Sequence, residues 1–147
     1  MSYRQIYYQI VFSTKYRRKS IAEENSIQLY KYIAGIIKNM KCTPYCINGI
    51  EDHIHIFSDL HPSVALADYI KEIKVSSNKW MKQSGLFPAF NAWQESYGAF
   101  TYSHKERNRI FNYVKNQKEH HQKEPYLHEI KRLLTENGVD FEGKYLF

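Results

Sequence analysis

The chain has 147 residues, 43% hydrophobic and 16% aromatic, which suits one domain with a real core and excludes a disordered tail. Its formal net charge of +6 and pI near 9.2 favour a polyanionic partner, nucleic acid first, although many soluble proteins this basic bind none. Two cysteines, Cys42 and Cys46, exclude a disulfide framework, no apolar run is long enough to span a membrane, and the N-terminus has no secretory pattern, so a reducing cytoplasm is the expected setting.

Residues 3–13, rich in Tyr, Ile, Val and Phe, predict a strand, followed by the basic loop Lys15-Tyr16-Arg17-Arg18-Lys19. Ser20 with Glu23 three residues on fits a capping box, opening a helix whose stripe runs Ile27, Tyr30, Ile33, Ala34, Ile37 and ends near Met40. Residues 43–47 and 50–60 read as two strands with Asn48-Gly49 as a hairpin turn; a turn at Glu51-Asp52 is the alternative and moves the register. His61-Pro62-Ser63 breaks the strand before a second helix carrying Leu66, Ile70, Ile73, Ser77 and Trp80 on one face. A loop over 85–93 leads to a short strand over 97–103, and Ser103 or His104 opens a third helix through about His121. Glu124-Pro125 interrupts it, a fourth helical piece covers 126–136, and the short aromatic end, 139–147, packs on the core or on a partner subunit.

The order β-α-β-β-α-β is the ferredoxin-like split pattern: an α+β fold with an antiparallel sheet, helices on one face, and C-terminal helices beyond. The other face is expected to stay open to nucleic acid or metal. The whole chain, 1–147, reads as one domain, with the tyrosine-bearing helix over 104–121 and a C-terminal helical tail over 122–147.

Two stretches carry chemistry. In His53-Ile54-His55 the period-two alternation of a strand turns both imidazoles to one face and Ile54 to the core. In Tyr113-Val114-Lys115-Asn116-Gln117 a phenol and an amide oxygen lie one helical turn apart. Two imidazoles and one amide oxygen make an open metal site, and Mg²⁺ or Mn²⁺ suits phosphodiester chemistry there. Asp52 is expected to face away from His53. Each motif alone is weak, because seven histidines and thirteen tyrosines make chance pairs common.

Taken in order, Phe12-Ser13-Thr14-Lys15-Tyr16-Arg17-Arg18, Asp52-His53-Ile54-His55, Trp93-Gln94, Tyr97-Gly98-Ala99-Phe100 and Tyr113-x-x-Asn116-Gln117-x-x-His120-His121 resemble the HUH endonucleases with one catalytic tyrosine, specifically the small insertion-sequence "two-hundred"-type transposases. The resemblance runs from about Tyr3 to His121. It implies His53, His55 and Gln117 as metal ligands and Tyr113 as the nucleophile that cleaves and rejoins single-stranded DNA through a 5′-phosphotyrosine. It also implies a homodimer, with the active site shared between subunits, that recognises hairpins near the element ends.

Lys15, Arg17, Arg18 and Lys19 are candidates for phosphate contacts, and Tyr16 or Trp93 for stacking on an unpaired base; a solvated charge run beside core aromatics is the plain alternative. His104, His120, His121 and His128 show no pairing that makes them ligands. The competing functions are a domesticated or inactive HUH relative, and a non-enzymatic ferredoxin-like nucleic-acid binder.

Overall fold

Strands β1 (Tyr7–Ser13), β2 (Pro44–Ile50), β3 (His53–Ser58) and β4 (Gly98–Tyr102) form one antiparallel sheet in the order β2-β3-β1-β4. This is the arrangement expected of the split pattern. The computed structural model describes residues 3–121 and 123–143. Alternation sorts the strand side chains onto two faces. Ile10, Phe12, Ile54 and Ile56 lie under α1 (Ser26–Asn39) and α2 (Leu66–Ser84), packed with Leu29, Ile33, Ile37, Ile70 and Ile73. Gly85, at φ 74°, ends α2 in the left-handed conformation that favours glycine.

The opposite face is covered, contrary to the expectation of an open one. Tyr7 and Phe57 pack against Ile110 and Val114 of α3 (Arg107–Lys115), and Val11 and Phe100 against Tyr126, Ile130, Leu133 and Leu134 of α5 (Tyr126–Glu136). Those stripes at i, i+4 and i+7 spacing need an apolar partner, since each such side chain is worth roughly 1.5–3 kcal/mol when buried. The sheet is therefore sandwiched, and its polar residues Gln9, Ser13, His53 and His55 are buried within the second layer.

Several local expectations shift. Tyr3 is 94% exposed, and the first strand starts only at Tyr7. The β2–β3 turn falls at Glu51-Asp52, with Ile50 opposite His53 and Asn48 and Gly49 inside β2. A Cβ on Gly49 would stand 2.2 Å from the His53 carbonyl oxygen, so this glycine serves close strand approach rather than a turn. Ser20 caps no helix: its N–H and that of Ile21 donate to Glu51 O, and α1 begins at Ser26 after a 3₁₀ turn at Glu23–Asn25. The capping box is at Ser103 and Glu106, where a 3₁₀ turn (His104–Glu106) leads into α3. Asn116 breaks the third helix, and a separate turn, α4 (Gln117–His120), follows. Residues 144–147 of the expected aromatic end lie outside the described residues. Among the described residues no helix is long and apolar enough to cross a membrane.

Candidate active site and metal centre

His53 and His55 sit side by side on β3, both fully buried, with ring centroids 5.2 Å apart. Packing of α5 on that face brings in a carboxylate that the sequence reading did not name, Glu129. One of its oxygens, Oε1, lies 3.3 Å from His53 Nε2, 3.0 Å from His55 Nε2 and 2.8 Å from His121 Nε2. These four donors lie within 4.8 Å of one another. Gln117 Oε1 stands 3.4 Å from His53 Nε2, and Gln117 Nε2 donates to Glu129 Oε2 at 3.1 Å. The expected ligands His53, His55 and Gln117 thus do converge, and His121 and Glu129 join them.

The donor set fits a divalent cation. His121 Nδ1 is buried without a hydrogen-bond partner among the described residues, while the Nε2 nitrogens all face one point. Three imidazoles and one carboxylate suit Mn²⁺ or another first-row ion better than Mg²⁺, which prefers an oxygen shell. The signal for Glu129 was a carboxylate amid the Tyr126, Ile130, Leu133 stripe: Glu is rarely fully buried unless paired. His121 had a local signal, its place four residues after Gln117 on the helix face of Tyr113, but the expectation that it shows no ligand pairing is corrected, because its partners His53, His55 and Glu129 meet it only through the tertiary fold.

Hydrogen bonds behind the imidazoles orient them. Asp52 Oδ1 accepts from His53 Nδ1 at 2.7 Å, correcting the expectation that Asp52 faces away. The residue lies in the turn, outside strand alternation, so its side chain can turn back onto its neighbour. Gln9 Nε2 is 3.0 Å from His55 Nδ1, and the Tyr102 hydroxyl donates to Gln9 Oε1 at 2.8 Å.

Burial pushes the His55 imidazole down to about 4 despite Glu129, leaving it neutral near pH 7. On His53 burial acts the same way, but hydrogen bonds to Asp52 and Glu129 outweigh it and its pKa is raised. Burial opposes charge on Glu129 too, yet His55 and the bonds from His121 and His53 hold its carboxyl well below the usual range.

Tyr113, on α3, reaches the same carboxylate. Its hydroxyl donates to Glu129 Oε2 and accepts from Arg132 Nη2 at 2.8 Å, and its ring meets that of His55 edge-on at 5.8 Å. Burial first, then the Glu129 charge, raise its pKa far above the usual value, so the phenol stays protonated. Although the helix breaks at Asn116, the Asn116 N–H still bonds Asn112 O and the His120 N–H bonds Asn116 O. The axis therefore continues, and Gln117 keeps the face of Tyr113. A cleft of about 240 Å³, lined by Gln9, Tyr102, Arg109, Tyr113 and Arg132 among others, opens onto the phenol. A second, of about 290 Å³, reaches His121 past Lys19, Asp52 and Lys118.

In the basic loop, Tyr16 is 62% exposed, with Lys15 Nζ 5.6 Å and the Arg18 guanidinium 5.8 Å from its ring centroid. Tyr16 and Arg17 both have positive φ, 58° and 56°, a conformation costing non-glycine residues roughly 1–3 kcal/mol. Lys15, Arg18 and Lys19 are exposed and Arg17 half-buried. Trp93 is a core residue instead of a stacking surface: its indole N–H donates to Ser77 and its ring meets Phe12 and Phe90 edge-on.

The family model described as "Transposase IS200 like" matches residues 2–117, so the chain belongs to the IS200-like transposase family. It is 25% identical over 120 residues to the ISDra2 transposase TnpA of Deinococcus radiodurans, covering 77% of this chain and 84% of that protein. A crystal structure of a Deinococcus radiodurans chain assigned as a transposase superposes with TM-score 0.63 and 24% identity, covering 80% of this chain and 95% of that one. A REP-associated tyrosine transposase solved bound to a REP hairpin gives TM-score 0.61 at 16% identity, covering 82% and 74%. Likeness at these identities bears on the fold alone. Helix α5, with Glu129 and Arg132, lies beyond the matched family region.

Proposed function

We propose that the protein cleaves and rejoins single-stranded DNA at element ends by transesterification, with Tyr113 as nucleophile. The observation that carries this reading is the placement of the Tyr113 hydroxyl against the His53, His55, Gln117 and Glu129 cluster, beside an open cleft. The phenol oxygen forms a bond to phosphorus, the P–O3′ bond breaks, and the 3′-oxygen leaves as a hydroxyl with a proton from water. The phenolic proton already points at Glu129 Oε2 as its acceptor. His53, His55 and Gln117, joined by His121 and Glu129, would hold a divalent cation, for which Mn²⁺ suits the donors better than Mg²⁺; when bound, it supplies Lewis-acid polarisation of the scissile phosphate.

Lys15, Arg18, Lys19 and the half-buried Arg17 supply phosphate contacts, with Tyr16 as the stacking ring. Hairpin-bearing single-stranded DNA is the proposed substrate, in line with the hairpin in the REP-associated relative. A homodimer remains part of this reading, but Tyr113 and His55 meet within one chain, which favours a site built in each subunit over a shared one. The complete burial of His53, His55, Gln117 and Glu129 favours a second reading, an inactive relative that only binds DNA.

The test is a covalent-adduct assay. Protein and its Tyr113→Phe variant are incubated with labelled single-stranded DNA from both flanks of the gene, with Mn²⁺ or Mg²⁺, and run on a denaturing gel. A metal-dependent shifted band that the variant lacks supports the nucleophile; binding with no adduct under any condition supports the inactive relative.

A further inference from the structure

Arg132 is three residues past Glu129 on α5, beyond the matched family region. Its guanidinium is engaged on every edge. Nε lies 3.1 Å from Glu124 Oε2, Nη2 2.9 Å from Glu124 Oε1, and Nη1 3.1 Å from Glu136 Oε1. Glu124 is itself held by His120 and His128, at 2.5 Å each. The remaining direction of Nη2 goes to the Tyr113 hydroxyl, at 2.8 Å. Two carboxylates neutralise the guanidinium, so it is poorly placed to act as a free phosphate clamp. It is well placed as a rigid strut.

A phenol oxygen has one proton and two lone pairs. On Tyr113 the proton goes to Glu129 and one lone pair to Arg132, which leaves a single lone pair directed away from both. That is the state a nucleophile needs for in-line attack, because the oxygen can approach phosphorus in one orientation only. His120, Glu124 and Glu129 also form a cluster of metal-ligand type. Glu124 of that cluster is already paired with the Arg132 guanidinium, at 2.9 Å.

We propose that Arg132 is a positioning residue for Tyr113: clamped by Glu124 and Glu136, it fixes the phenol oxygen so that one lone pair faces the scissile phosphate. This rests on Tyr113 being the nucleophile.

The test compares wild type with Arg132→Ala, Arg132→Gln and Arg132→Lys, with Tyr113→Phe as control. Three quantities are measured: single-strand affinity, the adduct-forming rate at saturating DNA and Mn²⁺, and that rate with millimolar guanidinium ion added. Loss of the strut should slow adduct formation about 10- to 100-fold in Arg132→Ala, the scale of a roughly 1 Å misplacement, with affinity changed less than about twofold. Guanidinium should restore part of the rate in Arg132→Ala and none in Tyr113→Phe, and Arg132→Lys should fall between. A merely structural role predicts no guanidinium rescue. If Arg132→Ala folds poorly, Arg132→Gln carries the same comparison.

A wild-type rate at saturating DNA in a folded Arg132 variant overturns this proposal alone. A loss confined to affinity overturns it in favour of a phosphate contact. Absence of any adduct in the wild type overturns the nucleophile reading, and this inference with it.

Discussion

His55 Nε2 lies 3.0 Å from Glu129 Oε1, although 74 positions separate the two residues. That contact joins a strand of the family core to a helix outside the matched region, and it completes a buried set of three imidazoles around one carboxylate oxygen. Substituting Glu129→Gln keeps the shape and removes the charge. The Mn²⁺ dissociation constant is expected to rise about 10- to 100-fold, comparable to losses seen when groups supporting a metal site are removed. Titration calorimetry or the Mn²⁺ EPR signal reads this directly, and an unchanged affinity would exclude Glu129 from the ligand set.

Gly49→Ala is expected to destabilise the protein by pressing on the β3 backbone at His53. The new Cβ would meet the His53 carbonyl oxygen at 2.2 Å, and backbone cannot swing aside as a side chain does. The cost should be at least about 1–3 kcal/mol, typical of overpacking. Urea denaturation checks it, and a wild-type midpoint would show that β2 and β3 separate freely there.

Glu124 makes a pH-dependent contribution. The Arg132 guanidinium, aided by bonds from His120 and His128, holds its carboxyl at about 2, against 4.5 ordinarily. As pH falls, the unfolded chain therefore takes up the proton first, and the folded state loses this stabilisation. The stability deficit of Glu124→Gln should be full above pH 4.5 and shrink as pH falls towards 2. Urea midpoints at pH 7, 5, 4 and 3 test it; a deficit constant with pH would remove the ion pair from the account.

The arrangement of Tyr113 against His55 within one chain makes a prediction about assembly. Mixing Tyr113→Phe protein with a His53→Ala/His55→Ala variant should restore no adduct in demonstrated heterodimers. Recovery would mean that the tyrosine helix crosses between subunits.

Much of the sheet was legible because its signals are local. Alternation in 53–58 placed Ile54 and Ile56 on one face and His53 and His55, with Phe57, on the other, and four-residue spacing placed Gln117 below Tyr113. The Asn48-Gly49 dipeptide misled because close strand approach and a hairpin turn both select glycine. Ser20 misled because its N–H found a backbone acceptor, Glu51 O, that no local pattern reveals. Asp52 turned towards His53 because turn residues do not obey the alternation of the strand that follows.

What the sequence determined by itself was the order of elements, the α+β class, and the two pairs whose members are separated by fixed local geometry, His53 with His55 and Tyr113 with Gln117. Tertiary structure alone decided that the second sheet face is covered, that Trp93 is core, and that Glu129, His121 and Arg132 meet those pairs. The physical reason is that such meetings depend on how α5 docks through Tyr126, Ile130, Leu133 and Leu134 onto Val11 and Phe100. Docking of that kind is set by the summed burial of distant apolar side chains, and no spacing along the chain records it.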